Sequence, residues 1–193
     1  MLRIALCAWM SGVALAAASH AGAQPADEYE YLVLATSRTS TMEREMNEAA
    51  ADGYRFASVM GGDTEFGGDE LVAVMVRDAS RGARSYRVLA TTLTSTMQAE
   101  LEEAGAEGYD HRGQTVYSSF FGGQEIVVIL ERDDAAPAVR YDYQLLATNQ
   151  TSTLQRELRT AGRRGFEVVG LTVGETEFGG AELVVITRRV DAR

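Results

Sequence analysis

The sequence predicts an α+β protein made of three tandem β-α-β-β repeats, each a three-stranded sheet of order 1-3-2 with one helix on a face. Three observations carry this. Leu34-Ala35-Thr36, Thr39-Ser40-Thr41, Gly53-Tyr54 and Phe66-Gly67-Gly68 all recur in one register, shifted by 55 positions to the second copy and by 57 to the third. Chance does not hold four motifs together twice. Each copy also holds one helical stripe closed by a glycine, and each ends in two extended segments around a Gly-Gly pair.

The first strand runs from Tyr31 to Thr36, Tyr86 to Thr91 and Tyr143 to Thr148. Tyr31, Val33 and Ala35 share one face with their counterparts. The other face begins with Leu32, Arg87 or Gln144 and is expected to be the wetter one. A Ser-x-x-Glu/Gln pattern follows in every copy (Ser40 with Glu43, Ser95 with Gln98, Ser152 with Gln155) and reads as a capping box opening a helix. Met42, Met46 and Ala49 then form an apolar stripe, as do Met97, Leu101, Ala104 and Leu154, Leu158, Ala161. Gly53, Gly108 and Gly165 fall just past the helix, where a left-handed backbone suits glycine.

Tyr54, Tyr109 or Phe166 opens the second strand, which runs to a Gly-Gly pair expected to make a two-residue hairpin turn. Gly61-Gly62 is expected to bulge the first copy. The third strand is continuously apolar (Leu71–Val76, 126–130 and 183–186), which places it centrally, antiparallel to both neighbours. The units span 29–78, 84–133 and 141–190. A unit this small buries a modest core, and its sheet has a second face rich in leucine and valine, so packing between units is expected.

Residues 1–23 read as a secretory signal: Arg3, an apolar run from Ile4 to Ala18, and an Ala21-Gly22-Ala23 site with cleavage before Gln24. The run is short for a membrane span. The expected location is therefore periplasmic or secreted, with no stable membrane insertion after cleavage. Cleavage leaves 170 residues with no cysteine, tryptophan or lysine, and moves the net charge from −10 to −11. That excludes disulfides and thiolate metal sites, and makes nucleic acid a poor partner.

The Tyr29-Glu30-Tyr31 opening, Gly105-Ala106-Glu107-Gly108-Tyr109, Gly162-Arg163-Arg164-Gly165-Phe166, and strands ending at Arg77, Arg132 and Arg189 resemble a small family of bacterial β-α-β-β modules. That family is catalogued as a domain of unknown function. Tyr or Phe stands here where the family usually has Trp. The resemblance implies the fold and supplies no reaction or ligand.

Candidate chemistry is sparse. Asp63, Glu65 and Glu70 in the first copy, and Glu175, Glu177 and Glu182 in the third, flank the Gly-Gly pairs. A two-residue turn would set Glu65 opposite Glu70, where a calcium ion could relieve their repulsion. A solvated acidic hairpin explains them more simply, and the second copy offers Ser118-Ser119-Phe120-Phe121 instead. His111 stands where the other copies have Phe56 and Val168 and reads as a packing or surface residue. Neither a catalytic constellation nor a cofactor motif is present. The expectation is an exported, non-enzymatic binding or structural module. Its partner is an unknown protein or cell-envelope component, with self-association also open to it. The alternatives are a calcium-stabilised surface module and a hydrolase with a carboxylate site between units.

Overall fold

The computed structural model describes residues 29–64, 68–77, 82–118, 123–175 and 180–191, the side chain of Glu175 excepted. Unit one comprises β1 (Glu30–Thr36), α1 (Thr39–Ala51), β2 (Arg55–Thr64) and β3 (Gly68–Arg77). Unit two comprises β4 (Arg84–Thr91), α2 (Thr94–Ala106), β5 (Asp110–Ser118) and β6 (Gln124–Asp133). Unit three comprises β7 (Tyr141–Thr148), α3 (Thr151–Arg163), β8 (Glu167–Glu175) and β9 (Ala181–Val190). The sheets have the orders β1-β3-β2, β4-β6-β5 and β7-β9-β8, antiparallel throughout. The continuously apolar third segment is the central strand of every sheet, as its two covered faces require.

The units stack as alternating layers: first sheet, α1, second sheet, α2, third sheet, α3. Met42, Met46 and Ala49 of α1 pack on Leu71, Ala73 and Met75 of their own sheet, and also on Tyr86, Val127 and Ile129 of the next. Met97, Leu101 and Ala104 of α2 lie in the same way between Leu89, Val128 and Leu130 behind and Tyr143, Val184 and Ile186 ahead. α1 and α2 therefore each cover two sheets, whereas α3 has a sheet on one side only among the described residues. Of the stripe residues in α3, only Ala161 is buried.

This layering corrects the expectation about the wetter strand face in the first unit, whereas Tyr86 and Tyr143 are buried as expected. In β1 it is Tyr31 and Val33 that are exposed, while Leu32 and Leu34 pack under α1. The cover for the tyrosine face in units two and three comes from the preceding unit's helix, and among the described residues β1 has no such cover.

The helix starts also differ from expectation. Arg38, Leu93 and Gln150 occupy the N-cap positions with extended backbone, and none makes a side-chain cap bond. Ser40, Ser95 and Ser152 lie inside the first turn. The chain enters each helix through a different local bond, in which the strand-ending threonine accepts a backbone N–H two residues on: Thr36 from Arg38 at 3.2 Å, Thr91 from Leu93 at 3.1 Å, Thr148 from Gln150 at 3.2 Å. This gives the recurring Leu-Ala-Thr motif a structural reason.

The helix ends agree with the reading. Gly53, Gly108 and Gly165 have φ of 89°, 91° and 82°. In the first copy Tyr54 N–H donates to Ala49 O at 3.0 Å and Gly53 N–H to Ala50 O at 3.0 Å, the paired bonds of a Schellman end.

Both hairpin expectations are corrected. Thr64 pairs with Gly68, so the first connection spans 65–67 and Gly68 already belongs to β3. A two-residue turn at Gly67-Gly68 would set Leu71 opposite Thr64 and send β2 side chains to the wrong face; the apolar alternation fixes the register instead. The other connections span 119–123 and 176–180. The bulge lies at Ala57, not at Gly61-Gly62, which pair regularly with Leu71 and Glu70. It recurs at Arg112 and Val169.

Candidate functional site

The residues kept in every copy are the natural place to look for function. The arginine ending each third strand lies over the aromatic residue after the helix: Arg77 over Tyr54 at 4.8 Å, Arg132 over Tyr109 at 4.8 Å, Arg189 over Phe166 at 4.7 Å. Arg77 also donates to Asp52 O at 3.3 Å and Arg189 to Arg164 O at 3.1 Å, so a cation sits at the carbonyl end of the helix. Arg189 closes on Asp142 through two bonds of 2.9 and 2.7 Å. The Gly-aromatic and terminal-arginine motifs form a clasp that locks the helix end to the sheet.

The second recurring constellation joins one unit to the next. Glu43 accepts Val88 N–H at 2.8 Å. Asn47 grips Tyr86 from both sides, donating to its carbonyl at 2.9 Å and accepting its N–H at 2.9 Å. In the next joint Gln98 does this alone, donating to Tyr143 O at 3.0 Å and accepting Leu145 N–H at 2.6 Å. Thus the Glu/Gln of the expected capping box reaches away from its helix, to the edge strand of the following sheet. Tyr86 is driven into the joint: its hydroxyl accepts Phe56 N–H at 2.8 Å and donates to Glu131 at 2.6 Å. Desolvation and the neighbouring Glu131 carboxylate hold that phenol well above the usual tyrosine range. The Tyr143 hydroxyl donates to Tyr109 O at 3.0 Å, and burial likewise raises its pKa.

Glycines set the closeness of the joints. A Cβ at Gly105 in α2 would lie 2.2 Å from Tyr141 O and 2.8 Å from Tyr143 Cδ2. At Gly113 it would meet the Phe56 ring at 3.0 Å.

His111 belongs to the second joint. It is buried, its Nε2 lies 3.2 Å from Gln114 Oε1, and burial pushes its imidazole down to about 4 against the opposing effect of that bond. It packs toward Gly170, where a Cβ would approach Nε2 to 2.8 Å. Neither a nucleophile nor an orienting acid is bonded to it among the described residues.

Among the described residues the acidic hairpin side chains form no common site. Asp63 is exposed and pairs across the ladder with Asp69. Glu70 stands opposite Gly62 and accepts a bond from Thr64 Oγ1. Glu182 stands opposite Gly174. Glu65 and Glu177 lie outside the described residues, as does the Glu175 side chain. Glu70 therefore faces Gly62 and not the partner a two-residue turn would have given it. Among the described residues no group of three His, Cys, Asp or Glu side chains is arranged to hold a metal ion.

A cleft of about 550 Å³ opens between the end of α2 and unit three, beside Glu102, Arg140, Asp142, Arg164 and Arg189. Its charges serve the clasp: Asp142 is held by Arg189, and Arg140 donates to Ala106 O at 3.1 Å. Among the described residues no helix is long and apolar enough to cross a membrane. Residues 1–23, the expected signal, lie outside them. Comparison with protein-family models, with curated proteins and with solved structures returns no match.

Sequence reasoning missed the joint residues Glu43, Asn47, Gln98 and Tyr86. The signal available was the tyrosine opening each first strand, since an aromatic residue kept in all three copies is more readily a buried residue than an exposed one.

Proposed function

We propose that this chain is an exported, non-enzymatic repeat protein that acts as a binding or structural module of the periplasm or cell exterior. One observation supports the reading: among the described residues, most side chains shared by the three copies serve cores, helix ends and joints between units. The family resemblance in the Gly-aromatic and terminal-arginine motifs adds weight, because those residues act as a clasp. The first 23 residues support export. The acidity disfavours nucleic acid and anionic membranes as partners, leaving a protein or another cell-envelope component.

The test is expression in a bacterium followed by osmotic shock, N-terminal mass spectrometry, and melting in EDTA and in calcium. Release in the shock fluid with Gln24 as first residue, and one melting curve in both media, are expected. A cytoplasmic chain retaining residues 1–23 would refute export. A melting point raised by calcium would move the reading to a calcium-stabilised surface module.

A hydrolase remains the second reading, because the 550 Å³ cleft between units is lined by Glu102, Asp142 and Asp191. Hydrolysis of a glycoside or ester substrate, abolished by Glu102→Gln, would establish it.

A further inference from the structure

The two joints inside the chain are built alike, and the two ends of the chain carry one unused half each. At the front, Tyr31 and Val33 of β1 stand where Tyr86 and Val88, or Tyr143 and Leu145, stand in the later units. Tyr31 is 64% exposed, whereas Tyr86 and Tyr143 are 3% and 4% exposed. At the rear, Val168 stands where Phe56 and His111 stand; it is 55% exposed against 5% and 9% for its counterparts. Leu171 and Val173 of β8 are exposed beside it, on the α3 side of the sheet. In the earlier units Val59 and Gln114, the residues matching Leu171, contact the next sheet. The large exposed apolar side chains thus concentrate on the two surfaces that the repeat would bury.

Polar and steric details agree. Gln155 on α3 is the counterpart of Gln98 and is exposed. Tyr31 and Val33 present the same edge-strand backbone that Gln98 grips on Tyr143 and Leu145. Gly162 is the counterpart of Gly105. A Cβ there would meet nothing within 4 Å, so among the described residues of a single copy this glycine in the last turn of α3 has no packing reason. A following first strand would supply one. Val168 is smaller than Phe56 and His111, and the residue it would meet is Ser58 in place of Gly113 and Gly170. A smaller knob thus faces a slightly fuller hole. Arg159 departs from Asn47, but the joint made by Gln98 shows that one amide suffices.

We infer that the chain assembles head to tail with further copies of itself, α3 and β8 of one copy closing on the bare face and edge of the first sheet of the next. The contact repeats the internal joint and is heterologous, so it propagates as a filament or closes as a ring, according to the rotation per step. It gives the structural module proposed above its partner, a second copy of this chain. It rests on that reading only in treating these surfaces as an interface, and export and calcium response are measured separately from assembly.

The test uses light scattering on the expressed chain from about 1 μM to about 1 mM, a span covering weak to firm association, with two variants. Val33→Glu blocks the front and Leu171→Glu blocks the rear. Both sites are exposed, and circular dichroism checks that folding is retained; Gly162→Arg replaces the second variant if it unfolds. The wild-type mass should rise with concentration to at least about twice that of one copy, and each variant alone should stay at one copy. Their equimolar mixture should give a species of two copies and nothing larger, because it contains one intact front and one intact rear. A wild-type chain that stays single throughout overturns the inference, including where its own first 28 residues or another protein occupy the face. Association that persists in either variant alone overturns it too, since that contact would join like ends.

Discussion

Adding one methyl group in the last turn of a helix should have opposite effects at Gly105 and Gly162. In an isolated helix Gly→Ala gains about 1 kcal/mol. At Gly105 the new Cβ would lie 2.2 Å from Tyr141 O and 2.8 Å from the Tyr143 ring. The carbonyl belongs to the backbone of β7 and cannot rotate away, so α2 must retreat, stretching the 3.0 and 2.6 Å bonds of Gln98 to Tyr143 and Leu145. Overpacking of this kind costs about 3 kcal/mol, leaving a net loss near 2 kcal/mol after the helical gain. For a chain of this size each kcal/mol moves the midpoint by about 2–4 °C, so Gly105→Ala should melt about 4–8 °C lower. At Gly162 nothing opposes the gain, and the single chain should melt about 2–4 °C higher. Calorimetry on dilute protein reads both, and hydrogen exchange places the loss at α2 and β7. If Gly105→Ala were as stable as wild type, the close seating of α2 on unit three would be wrong.

Three further outcomes follow from the joints and the clasp. Tyr86→Phe leaves the Phe56 N–H and the Glu131 carboxylate each short of a partner and should cost about 2–3 kcal/mol in urea unfolding; a loss below about 0.5 kcal/mol would deny the buried bond. His111 has a folded pKa of about 4 against an ordinary 6.5. The unfolded chain therefore binds the extra proton first, and His111 takes stability away as pH falls from 6.5 through 4, by at most about 3 kcal/mol. His111→Phe, the residue found at position 56, should flatten that part of the stability–pH curve, and an unchanged slope would contradict the burial. Arg189→Lys keeps the charge but loses the flat stack on Phe166 and the two-pronged grip on Asp142, for about 1 kcal/mol; equal denaturation midpoints would remove the clasp as a stabilising element.

What could be read from the sequence was whatever a unit settles within itself. The apolar run at Leu71–Val76 required a central strand, Met42, Met46 and Ala49 required a buried helical face, and Gly53 required a left-handed helix end. Some misreadings involve partners far along the chain, and others involve the local backbone register. Ser40 and Glu43 fit a capping box, yet Glu43 spends its carboxylate on Val88, 45 residues later. The face of Leu32 was expected to be wetter than that of Tyr31 because the cover for Tyr86 and Tyr143 comes from another unit's helix. The bulges at Ala57, Arg112 and Val169 went unseen because those side chains have nothing in common; the backbone offset is what recurs. The paired acids near Gly67-Gly68 depended on a turn length that the strand register overrules.

Because α1 and α2 are each shared between their own sheet and its successor, a unit brings with it the cover its follower needs. Unequal recombination that inserted or deleted one whole β-α-β-β segment would leave each remaining seam with both of its halves. No fresh complementary surface would have to arise. Chain length in such an array can drift in steps of one segment at little thermodynamic penalty, whereas a break in mid-segment strands a helix without its second sheet.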